Sequence, residues 1–226
     1  MTKLWVCGGV EGSLGQVIAN KAKLNYDDVL VTGHNNVDVT KAKQVDDFVS
    51  TYAPFDAVVY CSGINSLCWI NDFMLEDVVM NTFDVNAFGF ARVLNALSDC
   101  QVDEGGKVVA ITSDAANRPM RGSLAYCASK AALECMIKVA ARELAPKFQI
   151  NGVAPSVIED TNMSNQIDKS VPEFRGWTPQ EAIDYEMSGT PMKRRATKDE
   201  IATVVLDVLG WPTYVSGAII PVTGAK

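Results

Sequence analysis

Tyr126 and Lys130 stand four residues apart in Ala-Tyr-Cys-Ala-Ser-Lys-Ala-Ala-Leu-Glu-Cys-Met, residues 125 to 136, a stretch rich in helix formers. On a helix, positions i and i+4 share one face with Cβ atoms about 5–6 Å apart, so the phenol and the ammonium point into the same space. A positive charge beside a phenol favours the phenolate and lowers a pKa that is about 10 in a free tyrosine. Proton transfer to and from an alcohol or carbonyl oxygen needs such a group. The same spacing also fits a surface helix with a snorkelling lysine. The pair therefore acquires meaning only from a cofactor site, a carbonyl-polarising group and a substrate pocket elsewhere in the chain.

A cofactor site is suggested near residue 8. The apolar run Leu-Trp-Val-Cys leads into Gly8-Gly9-Val10-Glu11-Gly12-Ser13-Leu14-Gly15, with four glycines within eight residues. Glycines at a strand-to-helix turn let the backbone approach a pyrophosphate, whose charge meets the N–H groups and dipole of the helix N-terminus. From Gly9 the spacing is G-x-x-G-x-x-G rather than G-x-G-x-x-G. A tight structural turn is the alternative, but the density of glycines directly after a strand favours dinucleotide binding. The candidate contacts are Gly8, Gly9, Glu11, Gly12, Ser13, Leu14 and Gly15.

The elements that would position these residues follow from the alternation of short apolar runs with stretches of helical period. Leu-Trp-Val-Cys, Val-Leu-Val-Thr, Asp-Ala-Val-Val-Tyr-Cys, Lys-Val-Val-Ala-Ile-Thr, Phe-Gln-Ile-Asn-Gly-Val-Ala and Ala-Ile-Ile-Pro-Val read as strands, with longer periodic segments between them. The pattern predicts an α/β fold, a Rossmann-type doubly wound parallel sheet covered on both faces. Two places depart from it. Only His34, Asn35 and Asn36 separate Val-Leu-Val-Thr-Gly from Val-Asp-Val-Thr, whereas a parallel crossover takes about a dozen residues. The helix between the second and third strands is therefore expected to be missing, with the strand near Val37 vestigial. Residues 156 to 198 are polar and irregular, with Met163, Phe174, Trp177, Tyr185 and Met187 interspersed. They read as a substrate loop or lid with one short helix after Thr178. The whole of residues 1–226 is expected to form a single domain.

Ordered over nearly the whole chain, these features resemble the short-chain dehydrogenase/reductase family of NAD- or NADP-dependent enzymes. In that family an active-site serine precedes the tyrosine by thirteen residues, and Ser113 stands thirteen before Tyr126. The resemblance implies that Ser113, Tyr126 and Lys130 are catalytic. Asp-Val-Asn-Ala-Phe-Gly-Phe adds Asn86 as the active-site asparagine. Val-Asp-Val-Thr matches the adenine-side motif at Asp38 and Val39. Asn-Gly-Val-Ala-Pro resembles the segment beside the nicotinamide, which brings Pro155, Ser156, Val157, Ile158 and Thr161 to the cofactor. Tyr60-Cys61-Ser62-Gly63 replaces the usual Asn-Asn-Ala-Gly. It keeps Ser62 and Gly63 at the cofactor and loses the side-chain amide that braces the sheet. In the chemistry so implied, Ser113 donates to the substrate oxygen where negative charge develops, Tyr126 exchanges a proton with it, and Lys130 serves both the phenol and the ribose. Asn86 would hold a water linking Lys130 to solvent.

The implied function is an NAD(P)-dependent oxidoreductase interconverting an alcohol and a carbonyl on a small molecule. A non-catalytic NAD(P)-binding regulator, or an epimerase or dehydratase of the same family, is the alternative. Cofactor choice rests on the end of the second strand, which in NAD users carries an acid. Here Thr32-Gly33-His34-Asn35-Asn36 has none, with His34 and Asn35 the candidate contacts, whereas Glu11 would oppose a 2′-phosphate. The balance favours NADP(H), with NAD(H) the alternative.

Composition narrows the partners. The net charge is −7, from 20 Lys+Arg against 27 Asp+Glu, which argues against nucleic acid and anionic membranes. No apolar run reaches the length of a membrane span, and the apolar run before Gly8 is too short for a signal peptide, so a cytoplasmic location is expected. Six scattered cysteines and one histidine give no metal or disulfide framework. Residues 77 to 97 and 126 to 144 carry more apolar positions than one buried stripe requires. With the resemblance, this implies a homo-oligomer, a dimer or tetramer.

Overall fold

The computed structural model describes residues 1–9, 13–100 and 105–226. Its strands are β1 (Lys3–Cys7), β2 (Asp28–Thr32), β3 (Ala57–Tyr60), β4 (Gly106–Ile111), β5 (Phe148–Pro155) and β6 (Ile219–Val222). They form one parallel sheet in the order β2-β1-β3-β4-β5-β6. Each coincides with an apolar run read from the sequence. The order reverses direction between β1 and β3, which opens a crevice at the carboxyl ends of those strands, the place where ligands bind in doubly wound sheets.

The helices are α1 (Ser13–Ala22), α2 (Ala42–Tyr52), α3 (Leu75–Phe83), α4 (Gly89–Ser98), α5 (Leu124–Glu143), α6 (Asn162–Arg175), α7 (Pro179–Ser188) and α8 (Lys198–Leu209). Side chains alternate across the sheet with a period of two. Trp5, Cys7, Val58, Tyr60, Val108 and Ala110 face Val45, Val49, Phe90, Val93, Leu133 and Ile137 of α2, α4 and α5. Leu4, Val6, Ala57, Val59 and Val109 face Ile18, Ala19, Ile201 and Val205 of α1 and α8. Two dry layers thus fix the sheet from both sides.

Residues 33–40 contain neither helix nor strand. The shortened connection is as expected, but the strand near Val37 does not form at all. Three residues cannot return the chain to pair in parallel. Val37 and Val39 instead insert their side chains into the core with Trp5, Tyr60 and Phe90. Helix α2 then leads into β3, so the strands that do form are joined through a helix. What the chain lacks there is a helix together with the strand after it.

The lid also differs from its expected form. Residues 156 to 198 hold two helices, α6 and α7, where one short helix after Thr178 was expected. Each begins with a reciprocal capping box, Thr161 with Ser164 and Thr178 with Glu181, which satisfies N–H groups that polar composition alone would leave to solvent. Arg195 bridges Asp168 of α6 and Glu186 of α7.

Candidate active site

β4 delivers Ser113 to the sheet's carboxyl edge. Thr112 is held by the Val153 carbonyl, and Ser113 caps a short turn, Asp114–Ala116, by accepting the Ala115 N–H at 3.2 Å. The first turns of α5 face this point. Tyr126 and Lys130 are both buried, and Lys130 Nζ lies 5.7 Å from the centre of the Tyr126 ring. The ammonium donates to the buried Ile111 carbonyl at 2.8 Å, at the end of β4. The structure therefore brings Ser113, Tyr126 and Lys130 together.

Burial governs their ionisation. It pushes the Tyr126 phenol up to about 12, against the pull of the Ser113 hydroxyl. It also pulls the Lys130 ammonium down to about 8, while Cys61 and Glu134 act in the other direction. At neutral pH the site holds a neutral phenol and a positive lysine, the protonation states required to reduce a carbonyl.

Asn86 completes the cluster by an unexpected route. It sits in a π-helical turn, Asp84–Phe88, between α3 and α4, a feature found most often at functional sites. Its amide donates to the Ile64 carbonyl at 2.9 Å and to Ser129 Oγ at 3.0 Å, and accepts the Ile64 N–H at 2.8 Å. Both amide hydrogens are thus committed to protein, and Asn86 braces the end of β3 against α5. The brace that Tyr60 was expected to lose is also present in another form, since its hydroxyl donates to the Val85 carbonyl. The turn places Gly89 against that hydroxyl, where a Cβ would collide.

Gly8, Gly9, Ser62 and Gly63 stand at the carboxyl ends of β1 and β3. Gly8 adopts φ +93° with no room for a Cβ against Ser62, and its N–H and that of Gly9 both donate to the Thr32 carbonyl at 2.8 Å. Gly15 packs against Gly9, and Leu14 is buried under α1. Glu11 and Gly12 lie outside the described residues, as does the side chain of Ser13. A Cβ on Gly63 would stand 3.4 Å from Lys130 Nζ and 3.5 Å from Asn86 Oδ1. Gly63 thus leaves open the space beside Lys130 and Asn86.

Farther out, Asp38 accepts the Thr40 N–H and hydroxyl at 2.9 and 2.8 Å and lies 3.6 Å from His34. His34 itself is exposed, and Val39 is buried in the core rather than presented to the crevice. On the other side Pro155 ends β5, Ser156 bonds back to Val222, and Val157 and Ile158 pair with Ala196. The Thr161 hydroxyl is engaged in capping α6.

The sequence reading missed Trp69 and Asp114. Trp69 stacks on Phe174 of the lid, with ring centres 4.4 Å apart, and Arg121 covers it at 5.6 Å. Met163 packs against Tyr126 and Cys127. Cys127 accepts the Met120 N–H at 3.5 Å, and burial raises its thiol pKa, so it is a packing group rather than a nucleophile. No group of metal-ligating side chains occurs among the described residues, and none of their helices is long and apolar enough to cross a membrane.

Comparison with known proteins bears on the fold and the family. The chain is 32% identical over 178 residues to a vibriobactin-specific 2,3-dihydro-2,3-dihydroxybenzoate dehydrogenase of Vibrio cholerae, a match covering 74% of this chain and 63% of that protein. It is 27% identical to an L-xylulose reductase of Caenorhabditis elegans over 95% of this chain and 81% of that one. A solved small-chain dehydrogenase in complex with NADPH superposes with a TM-score of 0.85 at 19% identity, over 100% of this chain and 98% of the other. A family model described as Enoyl-(Acyl carrier protein) reductase matches residues 14–224, and the chain belongs to the short-chain dehydrogenase/reductase family.

Proposed function

We propose that the protein is an NAD(P)-dependent oxidoreductase that interconverts an alcohol and a carbonyl on a small molecule, with NADP(H) the preferred cofactor. The observation that carries the reading is the burial of Tyr126 over Lys130 beside Ser113, one glycine away from the crevice. Gly8 and Gly9 make a tight turn in which a Cβ would collide with Ser62 and Val31, and Gly63 presents bare backbone beside Lys130 and Asn86, an arrangement that fits a dinucleotide laid across the carboxyl ends of β1 and β3. When bound there, the nicotinamide supplies or accepts the hydride.

The chain's own residues do the rest. Ser113 donates a hydrogen bond to the carbonyl oxygen, and Tyr126 gives that oxygen its proton. Lys130 steadies the charge left on the phenol and is placed to reach ribose hydroxyls. Asn86 holds Ile64 and Ser129, and so keeps Gly63 and α5 in register. The lid closes the far side of the site through Met163, Phe174 and Trp69 and keeps water out. Preference for NADP(H) is supported by the lack of an acid in Thr32-Gly33-His34-Asn35-Asn36. Exposed Met80, Phe88 and Val139 on the helical layer are consistent with a homo-oligomer.

A screen of alcohols and carbonyl compounds read by nicotinamide absorbance tests the reading. Tyr126→Phe should bind NADPH as the wild type does and lose about 10²- to 10⁴-fold in turnover. Full turnover in that variant would exclude Tyr126 as the proton donor.

A further inference from the structure

Asp114 follows Ser113 directly and holds a largely buried carboxylate, 16% exposed. Its two oxygens have only distant partners. Oδ1 faces the Ser113 hydroxyl at 3.5 Å, and Oδ2 faces Lys226 Nζ at 3.7 Å. Charge-assisted hydrogen bonds run about 2.5–2.9 Å, so neither partner satisfies the carboxylate well, while most of its water is gone. Arg118 acts on it through space, and Tyr126 and Cys127 lie within reach of its charge. A buried acceptor in this state favours any donor that can come closer.

Its position gives that donor an identity. Ser113 has one hydroxyl hydrogen, shared between the Tyr126 phenol and the Asp114 carboxylate 3.5 Å away. A substrate carbonyl must take that hydrogen over, which strips Asp114 of a partner. A hydroxyl on the neighbouring carbon would replace it at the same moment. The two oxygens of an α-hydroxy carbonyl lie about one hydrogen-bond length apart, close to the 3.5 Å between Ser113 Oγ and Asp114 Oδ1. A plain ketone offers no replacement donor. Lys226, on the opposite oxygen, offsets the repulsion between Asp114 and the negative charge developing on the substrate.

We infer that Asp114 is a specificity-determining residue that selects substrates with a hydroxyl next to the reacting carbon, α-hydroxy carbonyls in reduction and vicinal diols in oxidation. The inference rests on the oxidoreductase reading of the same site.

The test compares kcat/KM with NADPH for acetoin against butanone and for 2-hydroxycyclohexanone against cyclohexanone, in the wild type and in Asp114→Ala and Asp114→Asn. NADPH binding, followed by fluorescence, reports that each variant is folded. The hydroxyketone-to-ketone ratio should fall about tenfold or more in Asp114→Ala. It should fall less in Asp114→Asn, which keeps one acceptor oxygen. A ratio within twofold of wild type in Asp114→Ala overturns the inference and leaves the oxidoreductase reading standing. So does a variant that binds NADPH but reduces neither compound, because Asp114 would then serve Ser113 rather than the substrate. A wild type that binds NADPH and turns over other carbonyl compounds of the screen but neither hydroxyketone also overturns the inference and leaves the oxidoreductase reading standing, whereas no turnover across the whole screen removes both.

Discussion

Lys130 carries the sharpest conflict between folding and chemistry. Burial lowers its pKa from the usual 10.5 to about 8, so at neutral pH the fold must hold an ammonium that would rather be in water. Between about pH 8 and 10.5 the unfolded chain binds more protons at this residue than the native one, and its contribution to stability rises with pH there. Lys130→Met should therefore stabilise the protein at pH 7 by on the order of 1 to 3 kcal/mol, read as a higher melting temperature. The gain should shrink towards pH 10, and a gain that does not depend on pH would place its cause in packing. Carbonyl reduction needs the ammonium, so kcat/KM should stay level below about pH 8 and fall above it. The spacing of Tyr126 and Lys130 was legible because four residues on a helix have one geometric meaning. The pairing of Asp114 with Lys226 was not, since 112 residues separate them and only the closing of the sheet brings them together.

At the scale of elements, the π-helical turn between α3 and α4 lets two side chains reach backbone groups at once. Tyr60 bonds the Val85 carbonyl, and the next residue, Asn86, bonds Ile64 and Ser129. Tyr60→Phe should leave a buried carbonyl without its partner and cost about 1–3 kcal/mol in denaturant unfolding. A loss of turnover larger than the loss of NADPH affinity should accompany it, because Asn86 moves with Val85. Gly89→Ala should destabilise similarly by overpacking, about 1–3 kcal/mol, since its Cβ would collide with the Tyr60 hydroxyl. The sequence shows this region as one apolar periodic run, and a period near 3.6 cannot reveal a single wider turn. The lid was misjudged for a related reason. α6 and α7 are polar helices held by caps and by Arg195, so hydrophobic periodicity is weak in them, although Thr178 and Glu181 stand at capping-box spacing in the sequence.

For the molecule as a whole, the six apolar runs were enough to predict a doubly wound parallel sheet, because β1, β3, β4 and β5 are buried along nearly their whole length. The strand order, with the half-buried β2 and β6 at its edges, follows instead from the fold. The proposed preference for NADP(H) rests on the segment after β2, where residues 33–40 hold neither helix nor strand. With no acid among residues 32–36, Kd for NADPH should be at least tenfold below Kd for NADH, about 1.4 kcal/mol. Equilibrium titrations at equal ionic strength measure this, and the reverse order would show that Glu11 dominates. Light scattering at micromolar concentration should give a dimer or tetramer, and a monomer would mean that Met80, Phe88 and Val139 serve no interface.

Ionic strength should act on this protein through Arg195. Its guanidinium is 18% exposed and holds two carboxylates of unequal shelter, Glu186 at 17% exposure and Asp168 at 43%. Mobile ions weaken the exposed pair first, so added salt should free α6 while α7 stays anchored. The Trp69–Phe174 stack rides on α6. If this stack walls the substrate pocket as proposed, salt should raise KM for the substrate and speed the release of product, which would make electrolyte concentration a throttle on that wall.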